Sequence, residues 1–171
     1  QANNAIRALV PMVPVARAAS ATAYRADVGA PQASPLSNEM FAVSDPGGRD
    51  AFVWMENAEP ISLFCADEAD GESLRACRQV MEGLYGFEIN GTAVHPLLAE
   101  VCEPNEDLTV WTCTLRLDVL FSDGSTFDAN DVLATWSANA DANSPYHIGN
   151  TGTFVYWTRL WGNLVNAPPV E

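Results

Sequence analysis

The sequence predicts an α/β fold in which an α+β mixed sheet carries flanking helices, and three local patterns make that prediction. Residues 109–117 alternate: Thr109, Trp111, Cys113, Leu115 and Leu117 share one face, and Val110, Thr112, Thr114 and Arg116 the other. β-Branched or aromatic residues fill most of these places, so the stretch reads as a strand. Asp123-Gly124 follows, between Val119-Leu120-Phe121 and Thr126-Phe127, and glycine there supplies the positive φ of a tight reversal. Asp128 then stands as an N-cap, its carboxylate placed to accept the N–H of Asp131, with Phe127 and Val132 in staple positions. A helix starts at about Ala129 and turns Val132, Leu133 and Trp136 inward.

Composition bounds what such a chain does. With 171 residues, 48% of them hydrophobic, it is long enough to bury a core and is expected to form one compact domain. Its 22 acidic residues face 8 basic ones, all arginine, for a formal charge of −14. A surface of that sign repels phosphate backbones and anionic lipid, which argues against nucleic acid or a membrane surface as partner. No apolar run approaches the roughly 20 residues of a membrane span, and the first residues lack signal-peptide architecture. If the protein is exported, its signal and any lipid anchor are expected upstream of Gln1.

Taken in order, residues 1–9 have alanine, isoleucine and leucine at helical spacing, and Pro11 ends that helix. Residues 10–16 read as an apolar strand at an edge, since Pro11 and Pro14 lack ladder donors. The stretch 18–43 is rich in small and turn residues, and 46–50, with Pro46-Gly47-Gly48, is the expected linker between a 1–45 segment and a 51–166 segment. Residues 51–55 read as a strand, 56–60 as a loop and 61–64 as a short extended piece. Asp67-Glu68-Ala69-Asp70-Gly71 fails as a calcium loop: with Gly71 at its sixth position, Ala66 is first and Cys77 twelfth, where oxygen ligands belong. It reads instead as a cap, Asp70 or a neighbour, for a helix over 72–84 that buries Leu74, Cys77, Val80 or Met81, and Leu84. Asn90-Gly91 predicts a hairpin turn, and His95 a surface or loop histidine. After the Trp136 helix, Tyr156, Leu160 and Leu164 share one helical face while Trp157 and Trp161 share another. Aromatics on both sides of so short a helix exceed the needs of one core face, so Tyr156, Trp157 and Trp161 form a candidate interaction surface. Residues 166–171 read as a frayed end.

Four cysteines and only two histidines, His95 and His147, far apart in sequence, make a poor zinc set, and neither cysteine pair has metal spacing. Disulfides fit better. If the strand ending near Cys102 and the strand holding Cys113 form a hairpin, its centre falls at Asp107-Leu108 and the two cysteines oppose each other. Cys65 to Cys77 would tie a strand end to the helix that follows. The alternative is four reduced, buried cysteines. Two disulfides imply an oxidising, extracytoplasmic compartment.

Leu115-Arg116, Phe121-Ser122-Asp123-Gly124, Asp128-Ala129-Asn130-Asp131-Val132 and Trp136 together resemble the "LR-x-G-V-x-F-x-D-G-x-x-x-x-A-x-D-V" signature of the peptide-type solute-binding proteins of ABC transporters, family 5, which include oligopeptide, dipeptide and nickel binders. The sequence departs at Leu117-Asp118, where the family usually has a basic residue and a glycine. Val94 to Glu100 looks like the family's "V-x-P-x-L-A-E". Glu59 to Leu63 looks like its "E-x-x-S-L-D-P", with Phe64-Cys65 standing where Asp-Pro is usual. Residues 1–43, with Tyr24-Arg25-Ala26-Asp27-Val28-Gly29, resemble the family's C-terminal end, so its end precedes its beginning in this chain. A circular permutation, or a chain cut from a longer or tandem protein, would produce that order.

The resemblance implies part of lobe I of a type II periplasmic-binding-protein-like fold. It also implies capture of peptides or similar small solutes outside the cytoplasm, periplasmic or at the cell surface, for an ABC permease. Glu59, Pro60, Ile61, Ser62 and Leu63 would then lie beside the ligand cleft; otherwise they only shape a loop. No catalytic constellation emerges, with neither G-x-S-x-G nor H-E-x-x-H present, and no cofactor or metal site is expected. The competing reading is a protein–protein interaction or structural module derived from a solute-binding lobe, which binds another chain, or the remainder of the receptor, through the Tyr156, Trp157 and Trp161 aromatics. A metal-binding module is disfavoured by the ligand count.

Overall fold

Asp70 opens a ten-residue α-helix. Its backbone is extended, its carboxylate accepts the N–H of Ser73 at 2.8 Å, and Glu72 sits in the positive first turn, so α1 (Gly71–Val80) begins where the sequence provides for it. The computed structural model describes residues 21–161, together with residues 4 and 8. Of the expected helix of 1–9 only residues 4 and 8 are described, both helical, and the strand of 10–16, Leu164 and the frayed end lie outside the described residues.

α1 stops at Val80, short of the expected Leu84, because Met81 turns extended with its N–H on the Cys77 carbonyl at 2.8 Å. Its buried face is as expected at Cys77 and differs elsewhere: Ser73 is buried, whereas Val80 is 75% and Met81 57% exposed. The cause is anchoring on the Ser73 and Cys77 side, where the Ser73 hydroxyl accepts backbone N–H groups of the 61–62 segment and Cys77 is bonded to Cys65.

Two hairpins come next in the chain. β1 (Tyr85–Phe87) and β2 (Val94–Pro96) pair antiparallel around Asn90-Gly91, with Asn90 at φ 61° and the Gly91 N–H on the Glu88 carbonyl. β3 (Ala99–Pro104) and β4 (Trp111–Leu115) pair antiparallel with Cys102 opposite Cys113 and a bulge between Ala99 and Val101. β4 is shorter than the alternating run 109–117, because the Asn105 side chain accepts the N–H groups of Thr109 and Val110 and draws them into the loop. The strands therefore form two separate antiparallel pairs, and the described fold is a small α+β arrangement with no mixed sheet among the described residues. Residues 51–55 keep their alternation, with Phe52 and Trp54 half-buried and Val53 and Met55 about 90% exposed. They join no ladder, since no described strand lies beside them.

Gly124, at φ 87°, turns the chain so that Leu120 bridges Thr126, and the Phe121 and Phe127 rings meet edge to face at 6.0 Å. A full capping box then starts α2 (Ala129–Ala140): the Asp128 carboxylate accepts backbone N–H groups of the first turn, and the Asp128 N–H reaches the Asp131 carboxylate at 2.8 Å. α3 (Val155–Trp161) sets Trp157 and Trp161 against Trp136, with ring centroids 4.9 and 5.5 Å apart.

The segment before residue 50 is fastened to the helix and hairpin beyond it. Glu39 pairs with Arg75 of α1, the Phe41 ring lies against Phe52 and Trp54, and the Ser34 hydroxyl donates to the Gly91 carbonyl. The expected linker is a tied turn: the Asp45 carbonyl accepts the Gly29 N–H, the Asp45 carboxylate accepts the Gly47 N–H, and Arg49 pairs with Asp27. Gly47, at φ 68°, is required there, since a Cβ would stand 1.8 Å from the Asp27 carbonyl oxygen. Among the described apolar residues, only Cys77, Ala99 and Phe154 are fully buried.

Candidate functional site

The segment that leads from the unpaired strand into α1 borders an open depression of about 630 Å³. Phe41, Trp54, Met55, Pro60 and Ala76 give it apolar walls, and Glu56, Asn57 and Glu59 a polar rim. Three interactions fix its shape. Arg75 reaches Glu39 at 2.8 Å and Glu56 at 3.1 Å and lies 5.7 Å from the Trp54 ring centroid. Burial works against the charge of Arg75, but its two carboxylate partners outweigh it and hold the guanidinium pKa above its ordinary value. Ser73, fully buried, accepts the N–H of Ile61 at 2.9 Å and of Ser62 at 3.4 Å. The Ser62 hydroxyl accepts the Phe64 N–H at 2.9 Å, and the Cys65–Cys77 bond, Cα atoms 5.7 Å apart, clamps the end of the segment to α1.

The five sequence candidates divide here. Glu59 and Pro60 line the depression, and Glu59 has no cationic partner among the described residues. Ile61 and Leu63 are 63% and 67% exposed and Ser62 is half-buried; none of the three lines it. Aromatic walls with one free carboxylate suit an apolar or aromatic group that carries a positive charge.

The most heavily bonded side chain of the region is one that sequence reasoning missed. Asp67, 2% exposed, accepts hydrogen bonds from the Thr151 N–H, from the Thr151 hydroxyl at 2.9 Å, from the Gly152 N–H at 2.9 Å and from the Phe154 N–H at 2.7 Å. Burial opposes its charge, yet these donors outweigh burial and hold its carboxyl below the usual carboxylate range. Gly149 is required for the approach, since a Cβ there would stand 2.3 Å from the Asp67 Cβ. Phe154, 1% exposed, stacks on His147 at 3.8 Å and meets Phe64 edge to face. The one local signal for this contact is the run of small residues Gly149-Asn150-Thr151-Gly152, which leaves backbone N–H groups accessible.

The remaining candidates lie elsewhere in the fold. Cys102 and Cys113 are joined across β3 and β4, and with Tyr85 and Trp111 they border a second depression of about 430 Å³. Tyr156 and Trp161 are 46% and 40% exposed, while Trp157 is half-buried against Trp136. His95 lies half-buried in β2 opposite Gly86 rather than on a loop. No group of three or more potential metal ligands occurs among the described residues.

Residues 93–163 match the middle section of the bacterial extracellular solute-binding proteins, family 5. The chain is 30% identical to heme-binding protein A of Haemophilus influenzae over 118 residues, which are 65% of this chain and 22% of that protein. It is 38% identical to the periplasmic oligopeptide-binding protein OppA of Escherichia coli over 71 residues, 40% of this chain and 13% of that protein. It is 32% identical to the nickel-binding periplasmic protein of Escherichia coli over 91 residues, 52% of this chain and 16% of that protein. The chain thus spans about a fifth or less of the curated relatives it matches. No solved structure matches it significantly. The family match covers β2 through α3 and leaves Glu59 to Leu63 outside it.

Proposed function

We propose that this chain is the substrate-binding component, or part of it, of an ABC transporter, capturing a peptide or similar small solute outside the cytoplasm for import through the permease. The observation that carries this reading is the depression at residues 54–60, where Glu59 faces solvent beside Trp54 and Phe41. Such a wall suits the charged amino group and apolar side chain of a short peptide, with the facing wall supplied by another lobe. The oligopeptide-binding name of one relative supports a peptide solute, and the periplasmic descriptions of the oligopeptide-binding and nickel-binding relatives support an extracytoplasmic location. No described helix is long and apolar enough to cross a membrane. Contacts of Ser34, Glu39 and Phe41 with partners beyond residue 50 support reading 1–45 and 51–166 as two pieces of one lobe I.

Titration of the full-length protein with short peptides, followed by tryptophan fluorescence and calorimetry, tests this. Binding is expected to perturb Trp54 and to weaken about tenfold in Glu59→Gln, as when one charge-assisted contact is lost. Peptides with a blocked amino group should lose affinity likewise. Unchanged affinity in both cases would sink the reading. A second reading, a module that binds another protein chain, is favoured by the exposure of Tyr156, Leu160 and Trp161 on α3. Native mass measurement of the purified protein separates the two.

A further inference from the structure

We propose that Asn90 is an acceptor for N-linked glycosylation. Asn90-Gly91-Thr92 is the one Asn-x-Ser/Thr triplet without proline in the chain. Glu88 extends it to Glu-Ile-Asn-Gly-Thr, the five-residue form, with an acidic residue two places before the asparagine, that bacterial oligosaccharyltransferases read. The fold puts all five residues where an enzyme reaches them. They form the tip of the β1–β2 hairpin, and Glu88, Asn90 and Thr92 are exposed. The Asn90 Nδ2 makes one exposed contact, with the Gln32 Oε1 at 3.2 Å. β1 and β2 are three residues each, so the tip can open without disturbing β3 and β4. Opening it costs the Asn90 N–H on the Ala33 carbonyl, the Gly91 N–H on the Glu88 carbonyl, the Glu88 N–H on the Ala93 carbonyl and the Ser34 hydroxyl on the Gly91 carbonyl.

The chemistry is a group transfer from an oligosaccharide carried on a lipid pyrophosphate. The Asn90 Nδ2 attacks the anomeric carbon, the bond from that carbon to the pyrophosphate oxygen breaks, and lipid pyrophosphate leaves with the bonding electrons. One amide proton passes to a base, and nothing is oxidised or reduced. A glycan at this tip would cover Ile89 and Val94, which are 36% and 58% exposed.

In the cell the site rests on the extracytoplasmic reading above, so the test is made in vitro. The purified full-length protein is incubated with a bacterial oligosaccharyltransferase and a lipid-pyrophosphate oligosaccharide, and intact mass is measured. One glycan mass per chain is expected, absent in Asn90→Gln and in Thr92→Ala, retained in Thr92→Ser, and formed about tenfold more slowly in Glu88→Gln. Thr92 is exposed, so its variants keep the fold testable if Asn90→Gln does not. An unmodified wild type beside a modified control acceptor would overturn the proposal, as would a glycan that persists in Asn90→Gln. Cell fractionation tests location separately, so the two readings fail by different results.

Discussion

Asp67 and Thr151, 84 positions apart, are joined twice, the carboxylate accepting both the backbone N–H and the hydroxyl of the threonine. With the Gly152 and Phe154 N–H groups added, one side chain organises the whole loop ahead of α3. Asp67→Asn keeps the shape but turns one acceptor oxygen into a donor that faces N–H groups. It is expected to destabilise the fold by about 2–3 kcal/mol, the range for a buried, charge-assisted bond left unmade. Urea unfolding checks this, and an unchanged midpoint would remove Asp67 as the organiser of the loop.

The same carboxylate sets a pH dependence. Its folded pKa lies below the ordinary value, so it contributes stability above the unfolded aspartate pKa of about 3.9 and loses it as pH falls through the folded value. Stability measured from pH 6 downward should fall below about pH 4, and more shallowly in Asp67→Asn. The depressed carboxyls of Asp27, Asp107 and Asp123 are exposed and screened, and should contribute far less to that slope. Equal slopes in wild type and variant would show that Asp67 does not drive it.

What the sequence made legible is local, and what it hid is tertiary. Asp128 with Asp131, Asn90 with Gly91, and Cys102 with Cys113 are each fixed by a spacing within a dozen residues, where capping, turn geometry and hairpin symmetry decide. Asp67 offers no such clue: within its own stretch it reads as one acid among several before a helix. Its partners lie in a loop whose only mark is small residues. The 72–84 helix failed at its end and on its buried face apart from Cys77, because a disulfide and the Ser73 hydroxyl, not the spacing of leucine and valine, choose which side turns inward. Residues 51–55 have the pattern of a strand, but a ladder needs a neighbour, and pattern alone does not supply one.

Ser73 links this anchoring to the candidate site. Its hydroxyl accepts the Ile61 and Ser62 amides, which come directly after Glu59 and Pro60 in the chain. Ser73→Ala should cost about 1–3 kcal/mol, since it leaves part-buried N–H groups without this acceptor. Hydrogen exchange at Ile61 should accelerate while exchange in β3 and β4 stays as in the wild type. Uniform acceleration would mean that Ser73 supports the whole fold rather than the 59–63 segment.

The two disulfides differ in what guards them. Cys77 is 6% exposed and lies under the 61–65 segment, whereas Cys113 stands exposed on β4 beside a wide depression. Thiol–disulfide exchange needs a thiolate to reach a sulfur, so limited reductant under native conditions should open Cys102–Cys113 first. Its hairpin keeps the backbone pairing of β3 and β4, so the fold should survive that step, whereas opening Cys65–Cys77 releases the segment that carries Glu59 and Pro60. Alkylation followed by peptide mass mapping reads the order directly. Peptide affinity should persist while only Cys102 and Cys113 are labelled and fall once Cys65 and Cys77 are labelled as well. Labelling of Cys65 and Cys77 first would mean that the 61–65 segment opens more readily than the hairpin, and that α1 does not hold the candidate site in place.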